Sequence, residues 1–309
     1  MSLHEDIVAN LTGYSKAMYS TWFFYRPARI LLDAGEGVSS AMENFVFGIE
    51  RVFLSHGHYD HIGGLPGLLQ SRRSARGDKE KPLEVYYPVT DELVALQRAY
   101  VESLTYHLGY ELSWHSLEAG QRVELGEGRG YLVAMAVRHS GRGRALGFCL
   151  TEQRRRLSPE YAKLSQEEIA LLARTRPREE FMESYEKILL AYSGDAMALE
   201  AADVADAEVL MHEATFLDPD DRDVPTHATA GEAIRVAVEA RVAALVLFHI
   251  SSRYPTREVV KRVRSLAEKA KIEVPIAVFR GGRKMWVWPE RREIETRSQA
   301  RVVRATTVE

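Results

Sequence analysis

The order of apolar and turn-forming residues predicts an α/β chain, an αββα sandwich in which two mixed β-sheets pack between helices. Three observations carry this prediction. Short apolar runs bounded by turn residues recur along the chain, as strands do. Stretches of helical periodicity alternate with them, and two strand pairs are joined by glycine turns. No linker-like stretch divides the 309 residues, which are therefore read as one domain, 1–309.

The elements follow in order. "RILLDAG" (29–35) and "RVFLSH" (51–56) read as strands, 65–73 as a helix, "LEVYYP" (83–88) as a strand and 90–108 as a helix. Residues 121–137 form a hairpin turning through "GEGRG". The segment 151–187 has no glycine and many charges, and reads as a helical insertion broken near Pro177. Strands return at "ILLAYSG" (188–194), "EVLMHEA" (208–214) and "ALVLFHI" (244–250), with helices at 229–241 and 256–270. A second hairpin, 276–288, turns at Gly281-Gly282, and 297–309 reads as a flexible tail. Several strands end in Asp, His or Glu just past their apolar residues, where a sheet delivers polar groups to one rim.

Composition narrows the function classes. At 46% hydrophobic and 28% charged residues the chain is an ordinary folded protein. No apolar run is long enough to cross a bilayer, so no membrane partner is expected. The start lacks the basic-then-apolar order of a secretory signal. The single cysteine, Cys149, permits no internal disulfide and points to a reducing, cytoplasmic location. A net charge of −3 does not advertise a nucleic-acid binder, so any such role rests on a local basic patch.

The densest chemistry lies in "LSHGHYDHIGGLPG", residues 54–67. His56 and His58 point the same way in an extended segment, because side chains alternate. Asp60 and His61 follow a bend and face a second, adjacent position. Imidazole nitrogen and carboxylate oxygen suit zinc and similar divalent ions, so the loop predicts two metals, with the glycines letting the backbone bend around them.

This loop resembles that of the metallo-β-lactamase superfamily, whose fold is the αββα sandwich. The resemblance extends to a lone His, a lone Asp and a lone His at strand ends: His139 in "VRHSGRG", Asp195 in "AYSGDA" and His249 in "LFHISSRY". It implies that His56, His58 and His139 bind one zinc and Asp60, His61 and His249 the other, with Asp195 bridging; manganese and iron are the other ions expected. Redox di-iron members typically carry Glu where this chain has His58, which argues for hydrolysis.

Within the superfamily "LDAGEG" (32–37), "HEATF" (212–216), "HATAGEA" (227–233) and "HISSRY" (249–254) resemble ribonuclease Z, which trims the 3′ trailer of precursor tRNA. Asp33 and Gly35 are read as shaping a turn. Two cations about 3.5–4 Å apart can hold a hydroxide at neutral pH and neutralise charge on both the attacking and the leaving oxygen of a phosphodiester. Asp60 is placed to orient or deprotonate that nucleophile. The resemblance leaves Glu213 and His227 to protonate the leaving alkoxide, and Arg253 to clamp a phosphate oxygen. His4, His107, His115 and His212 are read as structural or surface residues.

The chain also departs from that pattern. Ala34 stands where the family has Cys, and "LTGYSKAMYSTWFFYRP" lacks the family's early Pro and Arg-Asn. The segment 151–187 occupies the place of a tRNA-gripping arm but has no Gly/Pro-rich tip. Arg154, Arg155 and Arg156, with Arg72, Arg73, Arg76, Arg142 and Arg144, are the cations expected to meet phosphates. The expected partner is precursor tRNA, with a small phosphodiester or lactone as the alternative, and a homodimer is implied by family members that exchange arms across a two-fold axis.

Overall fold

Two β-sheets lie face to face in the computed structural model of the chain, which describes residues 1–73, 81–104, 108–126, 128–139 and 145–289. The first sheet holds β1 (Leu11–Lys16), β2 (Ser20–Tyr25), β3 (Ile30–Leu32), β4 (Arg51–Phe53), β5 (Leu83–Pro88) and β6 (Leu112–Leu117) in that order. Its first two pairings are antiparallel and the rest parallel. The second sheet runs from β7 (Arg122–Glu124) through β8 (Tyr131–Ala136), β9 (Leu146–Leu157), β10 (Met182–Tyr192), β11 (Val209–Glu213), β12 (Leu245–Phe248) and β13 (Ile276–Arg280) to β14 (Arg283–Trp288). Here β10 to β13 are parallel and the flanking pairs antiparallel.

The helices are α1 (Leu3–Ala9), α2 (Val38–Met42), α3 (Tyr59–Ile62), α4 (Leu65–Arg73), α5 (Glu92–Leu104), α6 (Gln166–Thr175), α7 (Ala230–Glu239) and α8 (Thr256–Ala270). The α2, α4 and α5 side chains share a core with the outer face of the first sheet, and α7 and α8 with that of the second. Between the sheets a third core is built on aromatics. Phe23 makes edge contacts with Phe279, Phe248 and Tyr192 at centroid distances of 5.1, 5.3 and 5.9 Å. Such pairs favour edge-to-face geometry, so they fix the relative placement of the sheets as well as excluding water.

Segment 151–187 is not the helical insertion its composition suggests. Strands β9 and β10 continue through it as an antiparallel ribbon, with Leu157 opposite Met182 and Glu152 opposite Lys187. Its one α-helix is α6 at the tip, started by a capping box in which Ser165 and Glu168 each bond the other's backbone N–H. The ribbon forms because long charged side chains pair along and across it: Arg154 with Glu152, Arg155 with Glu179 and Arg156 with Glu183. Pro177 precedes a short turn of 3-10 helix and the return strand. The expected tail at 297–309 and the residues Arg76, His107, Arg142 and Arg144 lie outside the described residues.

Strands β3, β4, β8, β10, β11 and β12 all end at one rim of the sandwich. Their C-terminal ends lead into Asp33, His56, His139, Asp195, Glu213 and His249 respectively.

Candidate metal centre and active site

The chain leaves β4 at Phe53, runs extended to His58 and enters α3, whose first turn carries Asp60 and His61. Asp60 and His61 thus sit on a short helix of their own, ahead of the one begun at Leu65. Gly57 is required by a close approach: its N–H donates to Asp91 Oδ2 at 2.7 Å, and a Cβ there would lie 2.4 Å from Asp91 Oδ1. Gly64 is pressed against the backbone of Gly35 in the same way.

All seven expected ligands converge. The ligand atoms of His56, His58, His139 and Asp195 lie within 4.8 Å of one another, as do those of Asp60, His61 and His249. Asp195 reaches both groups, with Oδ2 3.8 Å from His56 Nε2 and 3.3 Å from His249 Nε2, and Oδ1 3.2 Å from His61 Nε2. Asp60 Oδ2 lies 3.2 Å from His249 Nε2, and His139 Nε2 lies 3.3 Å from His58 Nδ1. His227 also reaches this set, with Nδ1 3.9 Å from Asp195 Oδ2.

Hydrogen bonds behind the cluster select the ring nitrogens that face it. His139 Nδ1 donates to the Thr226 carbonyl at 2.9 Å. The Thr215 hydroxyl donates to Glu213 Oε2 and so accepts from His249 Nδ1, each at 2.9 Å. The Ser55 hydroxyl donates to Asp33 Oδ2 at 2.9 Å and accepts from His56 Nδ1 at 3.0 Å. His61 Nδ1 donates to Asp33 Oδ2 at 2.8 Å. Each Nε2 lone pair of His56, His61, His139 and His249 is therefore turned into the cluster. His56 Nε2, His61 Nε2 and Asp195 Oδ1 are buried there without any hydrogen-bond partner. Buried lone pairs left unpaired are costly, and cations are the species that satisfy them. A set of imidazoles and carboxylates without thiolate fits zinc, manganese or iron.

Electrostatics point the same way. Burial alone raises the Asp195 carboxyl, but the imidazoles of His249, His61 and His56 around it hold it well below the usual carboxylate range. Burial, then His61, pushes His56 well below the ordinary imidazole value. Burial also opposes charge on His61, yet the carboxylates of Asp195 and Asp33 hold that imidazole well above its ordinary value.

Glu213 and His227 lie together beside the cluster. Glu213 is fully buried, and its Oε1 accepts from His227 Nδ1 at 2.8 Å. The N–H groups of Ala196, Ala228 and Thr215 saturate the rest of the carboxylate. The His227 ring stacks on His249 with centroids 5.5 Å apart and stays partly exposed. Burial disfavours its charge, but the hydrogen bond and charge of Glu213, with Asp195 behind, outweigh that and lift its pKa to about 9. Thr229, two residues on, caps α7 in a reciprocal box with Glu232 and so fixes the backbone that carries His227.

Arg253 does not reach the cluster. Its guanidinium lies over the Phe216 ring, 5.4 Å from the centroid, and donates to the Asp221 carbonyl; Phe216 in turn lies 6.4 Å from the His227 ring. Among the described residues, four arginines of the wider basic set are engaged elsewhere. Arg72 is buried against the carbonyls of Val46, Ile49 and Lys81, and Arg154, Arg155 and Arg156 are paired within the ribbon.

Asp33 is more than a turn residue. It is fully buried at φ 56° and accepts four hydrogen bonds, from Ser55 N–H, the Ser55 hydroxyl, His61 Nδ1 and the Tyr192 hydroxyl, the last at 2.6 Å. Its position at the end of β3, on the rim shared by the other donors, was the available signal. Nothing in sequence marks Met18, whose N–H donates to Asp60 Oδ2 at 3.0 Å.

Residues 28–173 match the model of a beta-lactamase superfamily domain. The ribonuclease Z of Methanosarcina acetivorans is 33% identical over 256 residues, covering 73% of this chain and 79% of that protein. Two crystal structures share the fold. The metallo-beta-lactamase fold protein YhfI from Bacillus subtilis matches with a TM-score of 0.62 and 16% identity, covering 89% of this chain and 98% of that one. The short form of human tRNase Z matches with a TM-score of 0.59 and 18% identity, covering 90% and 98%. The protein is a metal-dependent hydrolase of the metallo-β-lactamase fold, and the chain belongs to the ribonuclease Z family.

Proposed function

We propose that this hydrolase binds two zinc ions and removes the 3′ trailer of precursor tRNA. His56, His58 and His139 would hold one ion and Asp60, His61 and His249 the other, with Asp195 within reach of both sets. When bound, the ions supply Lewis-acid charge for the phosphoryl oxygens and make water more acidic. The observation that carries the reading is the Glu213–His227 pair, set against a seven-donor cluster with no thiolate.

The chain's own groups divide the work. Asp60, fixed by the Met18 N–H, orients the attacking water and accepts the proton that the water loses. Glu213 holds His227 by Nδ1, so Nε2 is the atom that gives a proton to the departing 3′-oxygen. Water oxygen bonds phosphorus as the P–O3′ bond breaks, leaving a 3′-hydroxyl on the tRNA and a 5′-phosphate on the trailer. Arg253, one ring removed from His227, offers its guanidinium to a phosphate outside the scissile one.

Incubating the purified protein, with zinc or manganese, with a trailer-bearing precursor tRNA tests this. A single cut at the trailer junction with a 3′-hydroxyl end is expected. Turnover of a chromogenic phosphodiester with none of the RNA would favour the second reading, a hydrolase of small phosphodiesters or lactones. The pairing of the ribbon arginines and the burial of Arg72 speak for that second reading.

A homodimer is supported by α5, where Leu93, Leu96, Tyr100 and Leu104 form an exposed apolar stripe at helical spacing. A cytoplasmic location fits the single buried cysteine. Among the described residues no helix is long and apolar enough to cross a membrane.

A further inference from the structure

We propose that Arg222 is a positioning residue for the proton donor, holding the His227 main chain so that Nε2 stays directed at the departing oxygen. The inference rests on the trailer-cleavage reading and adds to it a residue outside the metal cluster. Arg222 follows a turn of 3-10 helix, Pro219–Asp221, and only 16% of its side chain is exposed. Its guanidinium forks onto Glu232, with Nη1 2.8 Å from Oε2 and Nη2 3.0 Å from Oε1. The same Nη1 donates to the His227 carbonyl at 2.9 Å. It also lies 3.7 Å from Met197 Sδ, two residues beyond Asp195.

Residues 222–228 belong to no strand or helix, so no ladder supplies a donor to that carbonyl. Glu213 fixes the His227 ring through Nδ1 and takes the next N–H, that of Ala228. Arg222 adds the missing restraint on the carbonyl. Glu232, which also accepts from the Thr229 N–H at 2.8 Å, ties that restraint to the first turn of α7. A bidentate guanidinium–carboxylate pair holds a defined geometry, so the chain is set in place on both sides of His227. Burial alone raises the Glu232 carboxyl, but Arg222 and the Thr229 N–H hold it below its ordinary value, so the pair stays charged. With both Nη atoms committed to protein groups, Arg222 acts through His227 and not on a phosphate.

The test uses two precursor tRNAs of the same sequence, one ordinary and one with sulfur in place of the bridging 3′-oxygen at the cut. An alkoxide needs a proton to leave, whereas a thiolate departs without one. On the oxygen substrate Arg222→Ala lowers kcat about a hundredfold, with KM and metal content unchanged. On the sulfur substrate the loss shrinks to about threefold or less, as it does for His227→Ala. Arg222→Lys, which keeps the charge but not the fork, shows the same preference with a smaller loss, and replaces Arg222→Ala if that variant does not fold. The double variant Arg222→Ala with His227→Ala is no slower than His227→Ala alone. Equal losses on both substrates, full activity on both, loss of metal, or a double variant in which the two losses multiply overturns the proposal while trailer cleavage stands. A wild-type protein that cuts neither RNA overturns the trailer-cleavage reading and this role with it.

Discussion

Asp33 shows how single residues hold this site. One buried carboxylate orients His61 directly and His56 through the Ser55 hydroxyl, so a ligand of each proposed ion depends on it. Removing such an orienting group typically costs ten- to a hundredfold in metal affinity. Asp33→Asn is therefore expected to weaken metal binding by about that factor in a chelator competition, and unchanged affinity would contradict the network. His227→Ala makes the complementary case: kcat should fall roughly a hundred- to ten-thousand-fold with metal content intact, and metal loss would make His227 a ligand instead. The pH dependence also has a definite sign. Asp195 and Asp33 keep a proton on His61 above the ordinary imidazole range, and a cation at Nε2 must displace it. Apparent metal affinity should fall as pH falls, with proton release visible in calorimetry across buffers of different ionisation enthalpy; a pH-independent affinity would refute this.

At the scale of elements, the helices at 65–73 and 256–270 and the hairpin at 276–288 were legible because their signals are local, a 3.6-residue period or a glycine turn. The ribbon was not. Its Arg and Glu residues have good helix propensity, and pairing between Arg156 and Glu183 across 27 positions leaves no local trace. The β1–β2 hairpin was missed for a related reason: Met18 makes its left-handed turn where glycine or asparagine would have announced one. Among the site residues, the metal donors were readable from a dense motif and from strand ends. Asp33, Ser55 and Thr215 act through hydrogen bonds that only the fold assembles. The α7 cap gives a prediction at this scale. Thr229→Ala removes the capping box and should cost about 1 kcal/mol in denaturant unfolding, whereas no change would mean the cap adds nothing to the helix beside His227.

For the whole molecule, the sheets are registered by the Phe23 contacts with Tyr192, Phe248 and Phe279, and the site is built from ends of both sheets. Phe23→Ala should destabilise the fold by about 3–5 kcal/mol and loosen metal retention with it. The apolar stripe on α5 belongs to the same scale. If it joins two copies, Leu96→Glu with Tyr100→Glu should convert a dimer to a monomer in light scattering, and a wild-type monomer would remove the basis for the pairing. The central claim is that side chains from His56 to His249 form one cage for two ions. Elemental analysis of protein prepared without chelator tests it most directly. Two transition-metal ions per chain are expected, dropping to one or fewer in Asp195→Ala. Wild-type protein that takes up no such ion, or an Asp195→Ala protein that keeps both, would contradict it.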